Sequence, residues 1–126
     1  MNPFPLLASA AALVAFNAHA GALDECMTAG DHGAVTRCLV DQEAKVNAEL
    51  ADVEAAAAKR ARAVEVATGR AGPHAALAKS VRDFAAYRSA QCTYVKELMS
   101  SGSGAAQAHL ACRVDLTRRR IRELTP

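Results

Sequence analysis

Apolar residues recur every three or four positions along three stretches of this chain, and no stretch alternates apolar with polar at the β-branched and aromatic density of a strand. The first stretch runs over about 34–68. Val35, Leu39, Gln42, Val46, Leu50, Val53, Ala57, Ala61 and Val64 share one helical face. Asp31 is placed to cap its start and Gly69 to end it, and the alanine run at 55–58 has the highest helix propensity of any residue type. The second begins at Pro73, whose fixed φ suits a first helical position, and carries Leu77, Val81, Phe84, Arg88, Gln91, Val95 and Leu98. It stops at Ser100-Ser101-Gly102. The third opens with Ser103 as its cap and runs to about Leu124, with Leu110, Arg113 or Val114, Thr117, Ile121 and Leu124 facing inward. One short turn at 24–28 precedes the first helix. The pattern predicts an all-α protein, an antiparallel three-helix bundle with a short N-terminal segment. At α-helical rise the three lengths come to about 52, 42 and 31 Å. The first helix therefore outreaches its partners, and must bend, stand clear at its far end, or be covered by a second copy.

The residues ahead of this pattern have a different character. Residues 1–20 carry no charged side chain, 6–16 are almost continuously apolar, and Ala18-His19-Ala20 supplies the small-x-small site that signal peptidase reads. The Lys or Arg usual near the start of such a segment is missing from Met1-Asn2-Pro3-Phe4-Pro5. The apolar run is shorter than the roughly 20 residues that cross a bilayer. The first cysteine, Cys26, follows Asp24 and Glu25, not the small residues that precede a lipidated cysteine. The expectation is a cleaved signal peptide over 1–20 and one helical domain over 21–126, periplasmic or secreted, with no membrane span after cleavage.

All fifteen Lys and Arg and all thirteen Asp and Glu lie beyond residue 20, for a net charge of +2. That balance is wrong for a nucleic-acid binder, and export removes nucleic acid as a partner. Four cysteines in a small exported domain read as a disulfide framework, because structural zinc sites bring closely paired ligands. Here eleven, fifty-three and nineteen residues separate them. The second and third helices form a hairpin about Gly102, and Cys92 and Cys112 each lie ten residues from it, at one height on facing helices. Cys92–Cys112 is the expected bridge, leaving Cys26–Cys38 to tie the N-terminal segment to the first helix. Trp is absent, and beyond residue 20 the aromatics are Phe84, Tyr87 and Tyr94. Ala-rich helices bury little apolar area each, so such a domain gains from covalent staples.

The run Phe84-Ala85-Ala86-Tyr87-Arg88-Ser89-Ala90-Gln91-Cys92, the turn Ser101-Gly102-Ser103, and then Cys112, Thr117, Arg120 and Leu124 together resemble the LprI-type lysozyme-inhibitor family. Members carry an aromatic, a Tyr-Arg pair and a Cys on one helix, a Gly-Ser turn, and a Cys followed by Thr, Arg and Leu; Cys26 and Cys38 match a further pair near the family's N-terminus. Phe84 stands where the family usually has Trp, and Ser89 where it has Asp. The resemblance implies a periplasmic or secreted binding protein that occludes the cleft of a lysozyme-type muramidase, without a cofactor. A loop that enters such a cleft would be Ser101, Gly102, Ser103 and Gly104, held between disulfide-pinned helices. The alternative reading is a structural or stress-related envelope protein that self-associates through the Ala-rich end of its first helix.

The remaining constellations favour architecture over chemistry. Phe84, Tyr87, Arg88, Thr117, Arg120 and Leu124 read as a structural motif in which Arg88, needing partners if buried, bonds to Thr117 or Glu123 of the third helix. Arg118, Arg119, Arg120 and Arg122 suit the negative end of a helix dipole. His32, His74 and His109 show no metal-ligand spacing, no Gly-x-Ser-x-Gly elbow is present, and Asp52, Glu54 and Glu65 do not pair as acid and base. No enzyme activity, metal or catalytic residue is expected.

Overall fold

Asp31 and Gly69 bound the longest helix for the reasons their side chains suggest. In the computed structural model, which describes residues 21–102 and 104–126, the Asp31 carboxylate accepts from the Ala34 amide at 2.8 Å, and Gly69 takes the left-handed conformation at φ 67°. Between them runs α2, His32–Thr68. Before it come α1, Ala22–Cys26, and a 3-10 turn, Met27–Ala29. After it come α3, Pro73–Leu98, with its proline in the first turn, and α4, Gly104–Leu124. Every element among the described residues is helical. The expected N-terminal turn is a helix in its own right, packed against both α2 and α4. The bundle accordingly has four helices where the periodicity gave three. The expected signal segment, residues 1–20, and the expected cap Ser103 lie outside the described residues.

Both expected disulfides form, Cys26–Cys38 and Cys92–Cys112. Each closes a short loop, of sequence separation 12 and 20, and the chain-entropy argument assigns each about 3 kcal/mol. They matter because the core is thin. Its largest fully buried side chains are Leu39, Val114, Thr117, Cys26 and Cys92, with Val35, Val46, Leu50, Ala111 and Ile121 packed around them. One of the five is a threonine and two are bridge sulfurs, so covalent links lie where aromatics would otherwise fill volume.

Two expected inward positions turn outward. Leu98 and Val64 are exposed. The choice between Arg113 and Val114 falls to Val114, wholly buried, while Arg113 pairs with Glu43 at the edge of the core. At α4's start Ala105 and Gln107 are buried, and Gln107 Nε2 donates to the His32 carbonyl at 3.0 Å and to Thr36 Oγ1 at 3.1 Å. At α4's other end the Arg60 guanidinium donates to the Leu124 carbonyl at 2.5 Å. The helices α2 and α4 therefore start level beside His32, but α4 finishes near Arg60 while α2 continues to Thr68. The far end of α2 stands clear of α4, flanked by the start of α3.

Candidate functional site

The residues of the Tyr-Arg motif divide between the interior and the surface of α3. Arg88 Nη1 donates to Asn47 Oδ1 at 2.9 Å and to Thr117 Oγ1 at 2.7 Å, and the Thr117 hydroxyl donates to the Arg113 carbonyl. One guanidinium thus ties α2, α3 and α4 together at mid-height. Arg120 reaches back to α3, donating to Ser80 Oγ at 2.6 Å. The guanidinium carbons of Arg88 and Arg120 each lie 5.6 Å from the centre of the Phe84 ring, one aromatic serving two cations. Of the two partners expected for Arg88, Thr117 is one. Glu123 is not, because Arg119 and Arg120 of its own helix hold it at 3.8 and 3.6 Å. Leu124 is half-buried at the core's edge.

Burying the Arg88 cation carries a cost. Desolvation, then the neighbouring Arg113, weakens the hold of Arg88 on its proton, while Glu43 and Glu54 oppose that. Burial raises the Glu54 carboxyl above its ordinary value, against the pull of Arg120 and Arg88. The Nε atoms of Arg88 and Arg120 are buried without a hydrogen-bond partner among the described residues. Sequence reasoning missed Asn47, and named Glu54 without its place beside Arg120 and Arg88. Asn47 could have been found: an asparagine inside a long helix, beside Val46 of the apolar stripe, has poor propensity and needs a reason.

Tyr87 instead points outward and is exposed, as is Tyr94 one heptad on. Tyr87 and Phe84 line a shallow cleft of about 450 Å³ with Ser80, Asp83 and Arg120. The basic residues of α4 do not form one patch. Arg118 makes a two-pronged contact with Glu25 of α1, 2.9 Å on each side, Arg120 is tucked against α3, and Arg119 is exposed. The histidines are dispersed: His32 beside Gln107, His74 beside Arg62, and His109 against the Cys92 carbonyl. Among the described residues no three His, Cys, Asp or Glu converge as metal ligands.

Two connections join the long helices. The α3–α4 turn places Ser101 and Gly102 in solvent; Ser100 before them takes φ 57°, and Ala105 bonds back to the Gly102 carbonyl at 3.0 Å. This turn sits at the level end of the bundle and carries no charged residue. The α2–α3 connection is Gly69, Arg70, Ala71 and Gly72. Both glycines have positive φ, 67° and 142°, and a Cβ on either would meet open space. Glu65 organises this connection, its Oε1 accepting from the Gly72 amide at 3.1 Å and the His74 amide at 2.9 Å. Those bonds, His74 first, hold its carboxyl below the ordinary value.

These residues make a disulfide-clamped four-helix domain, with one arginine bonding across three helices and exposed connections at both ends. Comparison with protein families identifies it further. The model of the family "Lysozyme inhibitor LprI" matches residues 24–124, from α1 to the last turn of α4, and the chain belongs to that family. Neither the curated proteins nor the solved structures contain a match. The family is one of inhibitors, not of enzymes. No helix among the described residues is long and apolar enough to cross a membrane.

Proposed function

We propose that this protein is exported, processed after Ala20, and inhibits a lysozyme-type muramidase by binding it stoichiometrically and covering its substrate cleft. The observation that carries this reading is the family match over 24–124, which takes in all four cysteines and both connections between the long helices. The mechanism it supports is steric. Glycosidases of this kind work with two carboxyl groups flanking the scissile bond, in a cleft that must stay open to polymer. A rigid element seated there blocks access without any chemistry, and rigidity set in advance reduces what binding must spend on ordering the contact. Two ends of the bundle offer such an element: the α3–α4 turn at Ser101, Gly102, Ser103 and Gly104, and the α2–α3 connection.

The experiment is direct. Purified, oxidised protein is titrated into animal-type, goose-type and invertebrate-type lysozymes acting on cell-wall substrate. Inhibition of at least one, saturating at a 1:1 ratio, is the expected result. Neither inhibition nor binding across the panel would sink the reading.

A further inference from the structure

We infer that the α2–α3 tip, with Arg70 at its point and Val66 on its flank, is the element that enters the carboxylate-bearing cleft of the muramidase. This assignment rests on the inhibitor reading above and says which end of the molecule makes the contact.

Shape is the first argument. From the Arg88 clamp, where Asn47, Arg88 and Thr117 meet, α2 runs on to Thr68 and α3 back to Pro73, whereas α4 ends at Leu124. At helical rise the two-helix tip overhangs α4 by roughly 10–20 Å. Exposure agrees with this. Val66 is 86% exposed and Val64 49%, both on the last turns of α2, and no third helix among the described residues covers them. A projecting two-helix wedge can reach the floor of a cleft. The α3–α4 turn lies flush with the start of α2, where Gln107 meets His32, and has nothing to project with.

Order is the second argument. Binding loops that must freeze on contact lose affinity to entropy. Here the connection is fixed beforehand by Glu65, which holds the amides of Gly72 and His74, and by the Gly69 amide donating to the Glu65 carbonyl at 2.9 Å. Arg70 is carried on a formed loop.

Charge is the third. Over 59–74 the chain has Lys59, Arg60, Arg62 and Arg70 against a single carboxylate, Glu65, already occupied by loop amides. At the opposite end, residues 21–36 hold Asp24, Glu25 and Asp31 with no Lys or Arg. An acid-lined cleft attracts the first end and not the second. Exposed valines beside an arginine also supply the mixture of desolvated apolar contact and cationic anchor that concentrates binding energy.

The test compares Arg70→Glu and Val66→Asp, both exposed and away from the core, with Ser101→Trp at the other end. Circular dichroism checks that each retains its helix content. Arg70→Glu and Val66→Asp are expected to weaken inhibition at least about tenfold, Arg70→Lys to retain most of it, and Ser101→Trp to leave it unchanged. A soluble N-acetylglucosamine oligomer that occupies the cleft should compete with the wild-type protein. If the wild type inhibits but the two tip variants inhibit equally well, the tip assignment is overturned and the inhibitor reading stands; if the oligomer does not compete, the covering of the cleft falls together with the tip assignment. If the tip variants only convert a dimer to monomer in sedimentation, the tip is a self-association surface and the assignment is likewise wrong. If the wild type inhibits nothing in the panel, the inhibitor reading fails and takes the assignment with it.

Discussion

Arg88 does for this protein what a large aromatic core does for others. Its guanidinium reaches Asn47 on one helix and Thr117 on another, and the buried Thr117 hydroxyl is itself engaged with Arg113. Removing the guanidinium leaves both partners facing a cavity, and an unmade buried bond costs more than a made one contributes. Arg88→Ala should therefore lower stability by about 1.5–3 kcal/mol, measured by urea unfolding. Arg88→Lys should recover only part of that: both bonds come from the single Nη1, but an ammonium lacks the planar guanidinium face that lies against Phe84. Equal stability of all three would show that the clamp is decorative. The Tyr-Arg pair also shows why a motif does not declare a binding patch. Two adjacent residues on a helix point about 100° apart, so one serves the interior and the other solvent.

Among the elements, those with local signals were the legible ones. Asp31, Gly69 and Pro73 mark helix boundaries through their own backbone chemistry, and the spacing of Cys92 and Cys112 about Gly102 gave the bridge because a hairpin of regular helices fixes height by counting. What escaped depended on neighbours. The helix at Ala22–Cys26 is too short to show a period, and is held by α2 and α4 rather than by propensity. Val64 and Leu98 fit the apolar stripe, yet both are exposed among the described residues. The α2–α3 connection looked like a plain Gly-bounded break; nothing in its sequence revealed that Glu65 folds over it. That carboxylate yields a pH prediction. Its folded value is held below the ordinary 4.5 by the two loop amides, so the order it confers is present above 4.5 and is lost as pH falls through the depressed value. The amide resonances of Gly72 and His74 should shift together with Glu65 below pH 4.5, and hydrogen exchange there should accelerate in Glu65→Ala at neutral pH. Unchanged amides in that variant would mean the loop holds itself.

On the scale of the whole molecule, the staples and the α1 anchor sit toward one end, the clamp lies at mid-height, and the other end is left free as a two-helix projection. The N-terminal anchor bears on where processing can occur. Ala22 is fully buried, and its amide donates to Asp115 Oδ1 at 2.9 Å. A Cβ on Gly21 would come within 3.1 Å of Asp115 Oδ2, so a glycine fits here and a larger residue would have to push that carboxylate aside. Cleavage after Ala20 leaves this contact whole and frees an α-ammonium at Gly21, next to a carboxylate able to receive it. Cleavage even two residues later would remove the anchor and strip Asp115 of its donor. The expected mature N-terminus is therefore Gly21, to be read by N-terminal sequencing of envelope protein. In that processed form Asp115→Asn should cost about 1 kcal/mol, the worth of a charge-assisted contact at a partly exposed site. A protein that begins at Met1, or one that begins beyond Ala22 and still folds with full stability, would show that the anchor at Asp115 does not define the mature end.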